Sequence, residues 1–298
     1  MHRLSFVQEE IKNHLRNGSC SKFFIARHNG FNRRSSRRPD KEGFGNMIID
    51  IHSHFLADRT WPEEWRTPEF LIKDMDKWGI DKAVIVCGDP LIGGDYREGN
   101  TKVANAISKF PDRLIGFAWI HPTHASGIDA AVKEAERCVR ELKFKGLKLH
   151  PATEMYSYTS QRYCYPIIEA AIRLHAPVFC HTGDPPSCPY SHPVLLADLA
   201  DRFPDAKLIL GHLGNRLWDD AVWAMSKHDN LVAETSFGQT SGITSMVKAV
   251  GAERVVMGSD WPTNSFGASL GHIRGAFIPD RDKELIMGEN AAKLLGMD

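Results

Sequence analysis

Two periods of apolar residues alternate along the chain from Met47 onward. Short apolar runs, rich in Val and Ile, predict strands at Met47–His54, Lys82–Cys87, Leu114–Ile120, Gly146–His150, Pro177–His181, Lys207–His212, Asn230–Thr235 and Arg254–Gly258. Between them, apolar positions at helical spacing predict helices over Pro68–Gly79, Asn100–Phe110, Ile128–Leu142, Arg162–His175, Pro193–Phe203, Leu217–Lys227, Ser241–Val250 and Asp282–Leu295. In the first of these, Phe70, Leu71, Met75 and Trp78 share a face and Gly79 supplies the stop. Strands alternating with helices over about 250 residues predict a single-domain α/β protein, a (β/α)8 TIM barrel. The strands are apolar throughout, as parallel strands covered on both faces should be. A doubly wound open sheet is the fallback, but no Gly-rich phosphate fingerprint follows the first strand.

The polar residues that close these strands carry the chemistry. The first strand ends in His52 and His54, which share a face because side chains alternate along a strand. The fourth ends in His150, the fifth in His181, the sixth in His212, and the eighth leads to Asp260. Barrel active sites lie at the C-terminal ends of strands, so these groups are expected to converge in one mouth. Each histidine alone reads more readily as an ordinary structural residue, but polar groups closing five apolar strands are hard to assign to chance. Neutral imidazoles and a carboxylate suit a divalent ion such as zinc with an open position for water. His212 or Asp260 then serves as the base. Lys148 alternates with Leu147 and Leu149 and so points inward with His150. It reads as a core lysine paired with a carboxylate, a binder of substrate anions, or a carboxylated lysine bridging two metals. His150 and Trp261 are further substrate-binding candidates.

The whole chain has 298 residues, 37 Lys+Arg and 37 Asp+Glu, so the total gives no reason to expect nucleic acid or an anionic membrane surface. That balance hides an asymmetry. Residues 1–46 carry ten Lys/Arg against four Asp/Glu, with Arg33-Arg34-Ser35-Ser36-Arg37-Arg38 among them and little apolar periodicity. This stretch reads as a basic disordered tail, or an upstream extension, ahead of a barrel over 47–298. No apolar run approaches the roughly 20 residues of a membrane span. The six cysteines form no C-x-x-C pair, which suits a reducing, cytoplasmic setting.

The stretches IDIHSHF, PEFLIKDMDKWGIDKAVI, PVFCHTG, LADRFPDAKLILGHLG and VVMGSDWP resemble the amidohydrolase superfamily from Met47 to the end of the chain. Within it the likeness is greatest to the group that includes aminocarboxymuconate semialdehyde decarboxylase. The resemblance implies metal ligands at His52, His54, His181 and Asp260, with His212 as catalytic base or second-metal ligand. It favours one ion over the two of urease-like members, whose lysine at the GLKLH position is carboxylated. The first expectation is a metal-dependent hydrolase of an amide, lactone or ester-like bond in a small carboxylated or cyclic molecule. The alternative is a metal-dependent, non-oxidative decarboxylase, for which Arg66, Lys148 and Arg216 are candidate carboxylate clamps. A barrel that only binds ligand ranks third. The expected partner is a small-molecule substrate, and a homo-oligomer is left open.

Overall fold

The computed structural model describes residues 47–55, 62–88, 94–183 and 189–297. The basic stretch 1–46 and residues 56–61, 89–93, 184–188 and 298 lie outside the described residues. Eight parallel strands follow one another around a sheet in sequence order: β1 (Ile49–Phe55), β2 (Lys82–Cys87), β3 (Leu114–Trp119), β4 (Gly146–Leu149), β5 (Val178–Cys180), β6 (Leu208–Leu210), β7 (Leu231–Glu234) and β8 (Val255–Val256). The residues after β8 return to β1 and close the barrel: Ile51 N–H donates to Met257 O and Asp260 N–H to His52 O. The (β/α)8 architecture expected from the two periods is the one observed.

The helices on the outside are α1 (Pro68–Trp78), α2 (Tyr96–Lys109), α3 (Ile128–Arg140), the one-turn α4 (Pro151–Glu154), α5 (Tyr165–Arg173), α6 (Pro193–Arg202), α7 (Trp218–Lys227) and α8 (Thr240–Val250). After β8 come α9 (Phe266–Arg274), α10 (Asp280–Glu284) and α11 (Asn290–Leu295), the last two joined by a π turn over Leu285–Glu289. α1 follows its sequence signals: Thr67 accepts from Phe70 N–H, Pro68 opens the first turn and Gly79 ends it at φ 71°. Among the described residues, no helix is long and apolar enough to cross a membrane.

Three departures from the sequence expectation have local causes. α2 starts at Tyr96 rather than Asn100, because Asp95 caps it and Gly99 sits inside the helix. α9 occupies a stretch where the sequence predicts no element, since glycines 267 and 271 lower its helical propensity. Gly267 is needed there, because a Cβ would run into the Trp78 ring. The helix expected over Asp282–Leu295 widens in its middle, where Ile286 O accepts from Met257 N–H of the barrel.

The Asp95 cap can be tested alone. Its carboxylate accepts from Arg97 N–H at 2.8 Å and Glu98 N–H at 3.4 Å. Asp95→Ala is expected to lower stability by about 1 kcal/mol in urea unfolding at pH 7. The hydrogen bond from Arg97 lowers the Asp95 pKa to about 2, against about 3.9 unfolded. A depressed carboxylate pKa stabilises above the unfolded value, so the gap between parent and variant should narrow as pH falls from about 4 to about 2.

Inside the barrel, Ile49, Ile51, Val84, Phe117, Phe179, Ile209 and Val256 form an apolar layer, with Ala291 and Leu295 of α11 packed against it. Strict alternation would make Ile49 and Ile51 point away from His52. A bulge in β1 resolves the conflict: Asp50 pairs with Ala83 and Ser53 with Ile85, three steps against two. Ile51 and His52 therefore both face the interior. The bulge takes His52 N–H out of the ladder, and Asp50 Oδ1 accepts it at 2.8 Å. Burial pushes the Asp50 carboxyl up to about 8.

Candidate metal centre

His52, His54 and Asp260 each place one ligand atom within 4.8 Å of the others, and all three are buried. Asp260 Oδ1 lies 3.1 Å from His52 Nε2 and 3.0 Å from His54 Nε2. Yet Asp260 Oδ1 is buried with no partner of hydrogen-bonding geometry, and so is His54 Nδ1. A carboxylate oxygen close to two imidazole nitrogens but bonded to neither is the arrangement a shared cation explains.

The electrostatics agree. Burial, reinforced by Lys148, holds His52 well below the ordinary histidine range. Burial and the adjacent His212 do the same for His181, and burial lowers His212 to about 4. Burial works to raise the Asp260 carboxyl, but the surrounding His52, His54 and His212 outweigh it and hold it well below the carboxylate range. Burial thus favours neutral rings at His52, His181 and His212, the state in which an imidazole can bind a metal.

The other expected site residues surround this group. His181 is outside the three-residue donor set; its Nδ1 lies 2.9 Å from His212 Nε2, and its ring stacks on His150 at 3.7 Å. Lys148 is 1% exposed, with Nζ 3.1 Å from His52 Nε2 and 3.9 Å above the Phe179 ring. His150 stacks between Trp119 and His181, while its Nδ1 accepts from Thr153 N–H and caps α4. Trp261 has the contacts of a packing residue: its indole donates to Asp74 of α1 and stacks on Phe266. Arg216 lines a separate cavity of about 490 Å³ with Trp218 and Phe237, so of the three candidate clamps Lys148 is the one shown in contact with a donor histidine.

Two residues at the mouth escape a sequence reading. Glu234, at the end of β7, is fully buried and lies 3.5 Å from His52 Nδ1. Together with His52 and His212 it forms a second group that could hold a metal ion. Ser236 bridges Glu234 Oε2 and His212 Nδ1 at 2.8 and 2.7 Å. The backbone is unusual here too: His212, Phe237 and Asp260 have φ of 59°, 55° and 61°. Left-handed non-glycine residues cost energy and gather at functional sites.

A parallel eight-stranded barrel with a buried His–His–Asp group at the ends of its strands defines the class, a metal-dependent barrel enzyme. The chain belongs to the amidohydrolase family, whose profile matches residues 49–297. It is 23% identical over 310 residues to the gamma-resorcylate decarboxylase of Polaromonas sp. strain JS666, covering 82% of this chain and 93% of that protein. It is 27% identical over 290 residues to the enzyme of the same name from Rhodococcus jostii strain RHA1, covering 76% and 87%. Its fold is also that of a dihydroxybenzoic acid decarboxylase from Polaromonas sp. JS666, solved with bound manganese and the inhibitor 2-nitroresorcinol. That match has a TM-score of 0.68 at 21% identity and covers 85% of this chain and 97% of the other.

Proposed function

We propose that the chain is a metal-dependent, non-oxidative decarboxylase of a small hydroxylated aromatic carboxylic acid. The observation that carries this reading is the likeness, over three quarters of the chain or more, to gamma-resorcylate decarboxylases. The buried His52–His54–Asp260 group supports it. Hydrolysis, the first expectation from the sequence, gives way to its alternative on that ground.

His52, His54 and Asp260 would hold one divalent ion, with His181 as the fourth ligand. The nitrogen-rich donor set suits zinc or another divalent transition metal, and manganese is the ion bound in the Polaromonas structure. Such an ion would anchor the oxygen substituents of the substrate and draw electron density from its ring. Lys148 supplies positive charge for the carboxylate, and His150, held between Trp119 and His181, presents its ring edge beside it. Asp260, ionised in a buried mouth, accepts the phenolic proton and returns a proton to the ring carbon that bears the carboxylate. The carbon–carbon bond then breaks, its electron pair stays with the ring, and carbon dioxide leaves. The phenolate regains its proton from water.

A panel of hydroxybenzoates, amides and lactones, assayed with metal-loaded protein for carbon dioxide and for new acid, tests this. Carbon dioxide from an ortho-hydroxylated acid is expected, with one ion per chain whether or not bicarbonate is present. Turnover of an amide or lactone alone would restore hydrolysis. Two ions in bicarbonate, reduced to one by Lys148→Ala, would make Lys148 a carboxylated bridging ligand.

A further inference from the structure

Glu234 takes no part in the reaction above, yet it is fully buried and committed to the mouth. Its Oε1 accepts from Ser236 N–H. Its Oε2 accepts from His212 N–H at 3.0 Å and from the Ser236 hydroxyl at 2.8 Å. Ser236 Oγ lies 2.7 Å from His212 Nδ1, and His212 Nε2 lies 2.9 Å from His181 Nδ1. His52 Nδ1 is 3.5 Å from both Glu234 Oε2 and Ser236 Oγ. Gly258 makes the room, because a Cβ there would collide with the Glu234 carboxylate.

The proton count around this chain of contacts has a direction. Both carboxylate oxygens already receive backbone N–H groups, the partners of an ionised carboxylate. The single hydroxyl hydrogen of Ser236 then points at Oε2, which leaves Oγ as an acceptor towards His212. His212 Nδ1 must therefore carry a hydrogen, and its Nε2 is a bare acceptor. The bond between the two rings is then donated by His181 Nδ1–H, so His181 keeps its lone pair on Nε2. By the same geometry His52 directs Nδ1–H to the Glu234–Ser236 pair and its Nε2 lone pair to Asp260 and Lys148. A hydrogen on Glu234 would reverse the sequence and place a hydrogen on His181 Nε2.

We propose that Glu234 and Ser236 are positioning residues that set the tautomers of His52, His181 and His212, so that the first two carry their lone pairs on Nε2, the atom through which each would bind a cation. His212 is then the link that orients His181, rather than the group that touches substrate. This extends the metal-centre reading, but its test is independent of turnover.

The protein is labelled with ¹⁵N-histidine, and long-range ¹H–¹⁵N spectra of the metal-free chain are assigned with single histidine variants. All three rings are expected to show a protonated Nδ1 and an unprotonated Nε2. Ser236→Ala should redistribute the His212 and His181 tautomers and weaken binding of Mn²⁺ or Zn²⁺ roughly 10–100-fold, the usual cost of losing the hydrogen-bond partner of a ligand. Ser236→Thr, which keeps the hydroxyl, should restore both. Glu234→Gln should act as Ser236→Ala does; if it fails to fold, the serine pair carries the test alone. A hydrogen on Nε2 of His181 or His212 in the parent overturns the proposal. So does a Ser236→Ala protein with unchanged tautomers and unchanged metal affinity. Loss of the predicted decarboxylation with the spectra as expected would count against the reaction, not against this network.

Discussion

Asp260→Asn is expected to fold and to lose its metal. The substitution keeps the size of the side chain but replaces the one carboxylate among the buried donors His52, His54 and Asp260. The loss should exceed the roughly 10–100-fold cost of losing an outer hydrogen-bond partner of a ligand, since a ligand itself is gone. Turnover should vanish with it, because the same carboxylate carries the proton. The barrel survives because its inner layer, Ile49, Ile51, Val84, Phe117, Phe179, Ile209 and Val256, is apolar and does not depend on the mouth. A readout without activity is available. Metal at about 100 times its Kd should stabilise the parent by about 2.7 kcal/mol and leave Asp260→Asn nearly unmoved. Equal metal content and equal stabilisation in both proteins would remove Asp260 from the ligand set.

Gly288→Ala should cost about 4 kcal/mol or more, the range reserved for a specific steric or packing failure. Gly288 lies in the π turn between α10 and α11, where a Cβ would drive into the backbone oxygen of Met47 at the entrance to β1. A flexible side chain could move aside, but a backbone oxygen moves only with its strand. Met257 N–H also bonds to Ile286 O of the same turn at 2.8 Å, which ties the turn to the chain that follows β8. Urea unfolding of the two proteins gives the difference. A cost below about 1 kcal/mol would show that the closing helix is docked less tightly than these contacts require.

Much of the barrel is legible because both of its periods are strong. An apolar run such as Lys82–Cys87 is a strand covered on both faces, and the observed β2 has those bounds. The capping signals of α1 are equally local, held in Thr67, Pro68 and Gly79. His52, His54 and Asp260 could be grouped in advance because barrel geometry brings strand ends together. The β1 bulge could not be read, since it depends on how Asp50 and Ser53 pair with another strand. Glu234 was hidden for a related reason. An acid at the end of an apolar strand looks the same in sequence whether it faces solvent or the barrel interior. The inward alternation of Val232 with Glu234 was the one available signal. α9 stayed hidden because Gly267 fits close packing against Trp78, a contact between distant residues. The reaction itself depends on pocket shape, which apolar periodicity does not encode.

One measurement bears most directly on the central claim. Metal-loaded protein is given an ortho-hydroxylated aromatic acid in heavy water, and the product is read by proton NMR and mass spectrometry. Decarboxylation predicts one deuterium on the ring carbon that held the carboxylate, one equivalent of carbon dioxide, and neither product once the metal is removed. A product that keeps its carboxylate and gains the elements of water at another bond, or carbon dioxide released equally without metal, would contradict it.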